Sequence, residues 1–374
     1  MEYYKLNILI TVSVRWWNAN AYYAISLAEA LSKLGHHVYV AGDPNYPPTV
    51  RAQATGLETI EIKFASFNPI ILFLNWYKLY KFVKAKRIEI INAHRSEDHL
   101  LTACIARRLK IPLVRTLGDV RSPKDNFINR WLHFKATDYH ISSSESNLTR
   151  YISTWPAFKP NCSVIPGGIK KEDIFKINNK EKLLQKFKIH PGAKVIGIIS
   201  RLSPVKDHAT FIMAASLVLE NIPNAVFLIS GIEVEITRND LKILSESVNL
   251  NSNILFLDRH EPVNELLSVL DVGVIASKGS EVISRVAMEY LATGVPVVTT
   301  DVNVLPEIIQ HEKNGFVVAA ENPFDMSEAI VKILQNNDLK DKISKQNEED
   351  FKNKFEMNVV AKSVLDIYKS LLEQ

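Results

Sequence analysis

The sequence predicts an α/β protein built from two doubly wound parallel sheets, one in each of two domains. Three observations carry this reading. The chain has 374 residues, too long for one typical compact domain and comfortable for two. Apolar runs of strand length alternate with helix-length connections, which forces neighbouring strands to pair in parallel. The alternation halts at the polar, Lys-rich stretch Lys170 to Lys182 and then restarts. The expected domains are therefore 1–175 and 176–355, with a last helix at about 356–374 packing back on the first.

The first half opens with a strand over Leu6 to Val14, and a polar, Trp-containing loop follows. Leu27, Ala28, Leu31 and Leu34 then fall on one face at helical spacing. Gly35 closes that helix as a left-handed cap. Further strands are expected at Val38–Ala41, Ile88–Ala93, Leu113–Leu117 and Tyr139–Ser143, with a helix over His99–Leu109. Val164-Ile165 leads into Pro166-Gly167-Gly168. In the second half the unbroken apolar run Val195–Ile199 reads as a strand buried on both faces. A helix over His208–Glu220 follows, then strands at Val226–Ile229, Ile254–Leu257, Val272–Ala276 and Val295–Val298. Three helical patterns close the chain, the last from about Asn358 to Leu372. Ligands of such sheets sit at the carboxyl ends of the strands. Two sheets meeting there would form one interdomain cleft.

Composition narrows the function classes. Hydrophobic residues are 47% and charged residues 23%, which is ordinary for a globular chain and excludes a largely disordered one. No repeat of 20–50 residues marks a solenoid. Cys104 and Cys162 cannot build a disulfide framework, and no Cys/His cluster suggests zinc; both are expected to be buried in a reducing compartment. Met1 to Lys5 lacks the charged-then-apolar layout of a signal peptide. Pro69 to Leu74, the most apolar stretch outside the strands, is far too short to span a bilayer. The expected location is cytoplasmic, with peripheral contact to the inner face of the cytoplasmic membrane left open. Residues 1–175 carry net charge +9 and residues 176–374 carry −5. A basic half suits an anionic partner, such as a phospholipid surface or phosphorylated acceptor, and equally a merely solvated surface. Trp76, Tyr77, Leu79, Tyr80, Phe82 and Val83 alternate with Lys78, Lys81, Lys84, Lys86 and Arg87. This pattern fits a helix lying at a membrane surface or a sheet-covering helix with snorkelling Lys stems. No nucleic-acid module is visible.

The chemistry is concentrated in two segments. In the first, Glu281 follows a strand end and Glu289 lies eight residues on, within the helix that Gly294 stops. Fully helical, that separation would span ~12 Å. Two carboxylates so placed could hold two sugar rings by their hydroxyls, while the helix amides between them face an anion. The pair equally fits two carboxylates stabilising a helix dipole. In the second, Ser200-Arg201-Leu202-Ser203-Pro204-Val205-Lys206 leaves the first strand of the second half. It sets Arg201 and Lys206 at the carboxyl edge, where two cations beside a helix amino end would bind a diphosphate or simply line a solvated loop.

Together these segments resemble family-4 glycosyltransferases of the GT-B fold. Leu31-Ser32-Lys33-Leu34-Gly35-His36-His37-Val38 looks like the family's first helix and second strand, and Val164 to Ile169 like its domain junction. Arg201 to Lys206 matches its phosphate loop and Glu281 to Pro296 its Glu-x7-Glu signature. Asn314-Gly315-Phe316-Val317-Val318 and Ile367-Tyr368 fit its closing elements. The resemblance implies retaining transfer of a hexose-type sugar from a UDP- or GDP-sugar, with no metal and no cofactor beyond that substrate. The acceptor would be a saccharide or lipid-linked saccharide of the cell envelope, of lipopolysaccharide type. Arg201, Lys206 and Glu281 would carry catalysis; Glu289, Ser284, Arg285 and Val286 would bind donor. Trp16 to Asn20 replaces the family's Gly-rich turn, Gly118 stands where it carries a His, and Val282-Ile283-Ser284-Arg285 replaces a Gly-Phe-Gly-like run.

Asn18, Asn20, His94, Asp119 and Arg121 are the acceptor-side candidates, since each lies in a segment leaving a strand's carboxyl end. His94 would face the cleft or serve as a hydrogen-bonded loop histidine. Asp119 and Arg121 would replace the missing His or pair with each other. Two other functions share the fold: a sugar-nucleotide epimerase, which leaves the Arg201/Lys206 loop unexplained, and a non-catalytic nucleotide-sugar binding protein.

Overall fold

The structure, a computed structural model, describes residues 4–66, 68–156, 161–250, 252–257 and 261–373. The leader-free reading of Met1 to Lys5 falls largely outside the described residues, since only Tyr4 and Lys5 are included. The chain divides into two units, 1–168 with 356–374, and 169–355.

The first unit holds seven strands: β1 (Asn7–Val12), β2 (His37–Gly42), β3 (Glu58–Glu61), β4 (Ile90–Ala93), β5 (Leu113–Leu117), β6 (Tyr139–Ser142) and β7 (Cys162–Val164). They pair in parallel in the order β3-β2-β1-β4-β5-β6-β7. The winding reverses between β1 and β4, so their carboxyl ends open a crevice at the switch point. β1 is buried along nearly its whole length because helices cover both faces. Its apolar run therefore lacks the alternation of a half-exposed strand. Helix Ala19–Lys33 starts at an Asn18 cap, whose side chain accepts from Ala21 N at 3.0 Å. Gly35, at φ 95°, ends it. Helix Met357–Leu372 returns to pack on Ala19–Lys33, and Asn92 Nδ2 of β4 donates to Tyr368 OH at 2.6 Å.

The second unit holds β8 (Lys194–Ile199), β9 (Ala225–Ser230), β10 (Ile254–Leu257), β11 (Val272–Ile275), β12 (Val297–Thr300) and β13 (Gly315–Val318). These are also parallel, in the order β10-β9-β8-β11-β12-β13. Here the switch point lies between β8 and β11. Ile196, Ile198, Phe211, Phe227 and Val274 centre its core. A side chain on Gly273 would meet the Tyr290 ring at 2.7 Å. The bare backbone lets helix Arg285–Ala292 press onto the sheet, and Tyr290 OH donates to the Gly197 carbonyl at 3.2 Å.

Several expectations need correction. The domain division falls after Gly168 rather than after residue 175, because the linker is tied to the second unit. Ile169 N donates to the Phe355 carbonyl at 3.0 Å, Phe175 N to Asn264 Oδ1 at 3.2 Å and Ile177 N to Ser268 Oγ at 2.8 Å. Cys104 is exposed and Cys162 half-buried, where both were expected inside. Cys104 lies on the outward face of helix Ser96–Leu109, between buried Ala103 and Ile105. Strand β3 was not anticipated: Glu-Thr-Ile-Glu at a sheet edge buries one side chain and has almost no apolar signature. No helix among the described residues is long and apolar enough to cross a membrane.

Candidate active site

At the second switch point, the segments leaving β8 and β11 meet. Lys278 N donates to the Val205 carbonyl at 2.9 Å, joining the two loops. The Lys206 ammonium pairs with Glu281 Oε1, and Ser277 Oγ donates to the same oxygen at 2.6 Å. Glu281 is buried, with its side chain 4% exposed. A buried carboxylate needs such partners to remain inside. Ser203 Oγ and Ser284 Oγ are buried with no hydrogen-bond partner. Arg201 is exposed, and among the described residues no carboxylate pairs with it. The site thus holds one uncommitted cation and two unpaired hydroxyls beside a helix amino end, a donor set suited to an anion.

Backbone strain shapes that amino end. Ser280 and Ser284 adopt left-handed conformations, at φ 59° and 46°. They keep Glu281 to Ser284 out of the helix, which begins at Arg285. The fully helical span between Glu281 and Glu289 is therefore not formed. Glu281 sits in the turn, and Glu289 lies just over one turn inside. The Glu289 side chain is 6% exposed, and Arg285 Nε lies 2.6 Å from its Oε1. Burial pushes the Glu289 carboxyl above the usual carboxylate range, while Arg285 pulls it back. Val286 is half-buried on the same first turn. His208 is buried beneath the β8 loop, 3.1 Å from Ser200 Oγ, and burial holds its pKa down to about 4. Gly231 permits this close loop: a Cβ there would lie 1.7 Å from the Ser200 carbonyl.

At the first unit's carboxyl edge the candidates separate. Asn18 is spent on its helix cap, and Asn20 Nδ2 donates to the Gly118 carbonyl at 2.6 Å. A Cβ at position 118 would lie 2.3 Å from Asn20 Oδ1, so a side chain there would have to displace Asn20 from the Gly118 carbonyl. His94 is buried against the Tyr23 ring, 5.7 Å between centroids, and burial lowers its pKa to about 3. It therefore stays neutral at ordinary pH. Asp119 pairs with Arg95 at 2.8 Å and with buried Arg115 at 2.5 Å, not with Arg121. Arg121 is exposed.

Sequence reasoning missed Ser277, Arg95, Arg115, Asp98 and Asp43. Asp98 is fully buried and accepts from Ser13 N and Arg95 N, each at 3.2 Å. Burial raises its pKa to about 8. Ser13 Oγ donates to Asp43 Oδ2 at 2.8 Å. An arginine inside the apolar strand Leu113–Leu117 was the legible signal for a buried ion pair. The others follow strand ends without any motif. Nearby, a hollow of ≈ 520 Å³ is lined by Trp17, Asn45, Pro47, Val50, Arg51 and Ala54, and the Arg51 guanidinium lies 5.7 Å from the Trp17 ring centre. Among the described residues, no group of three or more His, Cys, Asp or Glu is gathered to hold a metal.

Residues 21–173 match the Glycosyltransferase Family 4 model, and residues 179–350 match that of Glycosyl transferases group 1. The chain is 26% identical over 268 residues to the Escherichia coli UDP-Gal:alpha-D-GlcNAc-diphosphoundecaprenol alpha-1,3-galactosyltransferase, covering 68% of each. A glycosyltransferase structure from Rickettsia africae aligns with TM-score 0.89 at 19% identity, over 100% of both chains. Anabaena HepE in complex with UDP aligns with TM-score 0.84 at 18% identity, over 98% of this chain and 100% of that one. At these identities the structures establish a shared fold. Both family models, in this order along two Rossmann-like units, make the chain a member of the GT-B glycosyltransferases that join a family 4 domain to a group 1 domain.

Proposed function

We propose that the chain is a retaining, metal-independent transferase moving a hexose from a UDP-sugar to a lipid-linked saccharide acceptor in envelope polysaccharide synthesis. The observation that carries the donor half is the switch-point cluster. It combines the Lys206–Glu281 pair, the uncommitted Arg201 and the unpaired Ser203 and Ser284 hydroxyls at a helix amino end. Charge develops on the departing diphosphate during transfer, and cations and amides fixed there stabilise it more than they stabilise the substrate. Glu281 then holds the donor sugar, and Glu289, one turn into the helix, takes the ribose. UDP is favoured over GDP because the Escherichia coli relative is named for UDP-Gal and the Anabaena structure contains UDP. The same relative's name supplies the lipid-diphosphate acceptor class.

A thermal-shift panel of UDP-, GDP-, ADP- and CMP-sugars tests the donor. Ligand at about 100 times its Kd stabilises by about 2.7 kcal/mol, so the matching nucleotide should stand clear of the others. A response to UDP-sugars, followed by EDTA-resistant transfer to an undecaprenyl-diphosphate saccharide, supports the reading. A response confined to GDP-, ADP- or CMP-sugars, or turnover that EDTA abolishes and Mn²⁺ restores, contradicts it.

A further inference from the structure

Helix Pro69–Ala85, which connects β3 to β4, has two unlike faces. Leu79 and Val83 are buried in the first unit's core, with Trp76, Tyr80 and Phe82 packed partly against it. On the outer face, Ile70 is 69% exposed, Phe73 63%, Leu74 58% and Tyr77 45%. Their spacing of i, i+3, i+4 and i+7 sets them in one line along the helix. Lys81 and Lys84 prolong that line by another two turns. The Lys81 ammonium lies 4.5 Å from the Tyr77 ring centre and the Lys84 ammonium 5.8 Å from that of Tyr80. Between Pro69 and Arg87 the chain carries Lys78, Lys81, Lys84, Lys86 and Arg87 and no acidic residue. Lys78 donates to the Glu61 carbonyl at 2.7 Å and Lys86 pairs with Glu58 at 2.7 Å. Among the described residues, no carboxylate pairs with Lys81 or Lys84.

An apolar line that continues as a cationic one matches the layering of a lipid surface, where acyl chains lie beneath phosphates. Stacked aromatics strengthen the match. Phe73 and Trp76 lie 6.2 Å apart and Trp76 and Tyr80 5.2 Å apart, at 23° and 18° between planes. Such amphipathic rings favour the headgroup level. A second copy of the chain is a poor occupant. Stripe against stripe, Lys81 and Lys84 would meet the same cations in one orientation and the partner's apolar half in the other. We infer that Ile70, Phe73, Leu74 and Tyr77, with Lys81 and Lys84, seat the family 4 domain on an anionic phospholipid surface. This docking needs no particular donor or acceptor, so it stands apart from the transfer reading.

Co-flotation of the full chain with vesicles tests it, using phosphatidylcholine with 30 mol% phosphatidylglycerol (about a third anionic, a standard negative surface) against phosphatidylcholine alone. The unaltered chain should float with the anionic vesicles, weakly with the neutral ones, and less in high salt. The double variants Phe73→Ser/Leu74→Ser and Lys81→Glu/Lys84→Glu should each lose roughly tenfold or more in partitioning. Thermal stability and nucleotide response should stay unchanged in both, since these side chains lie outside core and site. Failure of the unaltered chain to bind anionic vesicles at low salt overturns the inference, as does full binding by both variants. Sedimentation showing a dimer that Phe73→Ser/Leu74→Ser dissociates, with vesicle binding intact, assigns the stripe to self-association instead.

Discussion

Replacing Arg285 by alanine probes what holds the buried Glu289 carboxylate in place in the group 1 domain. The Glu289 side chain is 6% exposed, with Arg285 Nε 2.6 Å from its Oε1. Burial is the largest influence on its pKa and pushes it up, Asp173 adds to the rise, and Arg285 opposes both. Without the guanidinium only the upward influences remain. Breaking a fully buried pair costs about 3–5 kcal/mol. Arg285 is 34% exposed, so solvent screening reduces this to about 1–2 kcal/mol, and the carboxyl moves further up. A protonated Glu289 would hold ribose hydroxyls by neutral rather than charge-assisted hydrogen bonds, losing about 1 kcal/mol for each. Two such bonds make about 2 kcal/mol, or roughly 30-fold in Kd. Because the charged form binds better, affinity falls as pH falls through the Glu289 pKa. Calorimetric titration with UDP at a lower and a higher pH reads this directly, because burial raises the carboxyl. Arg285→Ala should bind more weakly than the unaltered chain, with the larger deficit at the lower pH, and Arg285→Lys should recover most of it. An alanine variant with unchanged affinity and an unchanged pH profile would refute the reasoning.

Three other expectations follow from the geometry. Lys206→Ala should lower kcat about 100–1,000-fold in a steady-state transfer assay. It should also lower the melting temperature, because Glu281 keeps only Ser277 as a partner; normal turnover in a folded variant would remove Lys206 from the mechanism. The hollow lined by Trp17 and Arg51 follows the carboxyl ends of β1 and β2, so as an acceptor subsite it predicts that Trp17→Ala raises the acceptor KM while leaving UDP affinity alone; an unchanged acceptor KM would discard it. Asp98 has its pKa raised to about 8 by burial, so its stabilising contribution is complete below the unfolded value of about 3.9 and is lost as pH rises through about 8. Thermal melts between about pH 6.5 and 8.5 should therefore show stability falling with pH, by up to ~1.4 kcal/mol per unit. Asp98→Asn, though less stable overall, should show a flatter profile, and equal slopes would contradict the assignment.

The two parallel sheets were legible because strands buried on both faces leave unbroken apolar runs, as in Val195–Ile199. β3 was not, since an edge strand with one buried side chain has no such run. Motif residues and the end of a strand were enough to locate Arg201, Lys206 and Glu281 at one sheet edge. The interactions among them were not legible. That Lys206 pairs with Glu281 rather than standing free, and that Arg285 pairs with Glu289, depends on the left-handed turns at Ser280 and Ser284. Neither serine marks itself, because that conformation usually calls for Gly or Asn. The first unit was harder still. Asp119 pairs with Arg115 four residues away, and also with Arg95 more than 20 residues away, a pairing set by the adjacency of β4 and β5. Asn20 and Gly118 likewise belong to one contact, 98 residues apart in sequence.

In the proposed reading, the two carboxylates of the group 1 domain divide a nucleotide sugar between them, Glu289 taking the ribose and Glu281 the transferred sugar. The direct test is calorimetric titration of UDP, and of the UDP-hexose selected by the thermal panel, into Glu289→Gln and Glu281→Gln. The ribose is common to both ligands, so Glu289→Gln should weaken both by similar factors, as expected of uniform binding. Free UDP has no sugar for Glu281 to hold, so Glu281→Gln should weaken the UDP-hexose while sparing UDP. UDP affinity untouched by Glu289→Gln, or equal loss of both ligands in Glu281→Gln, would contradict the account.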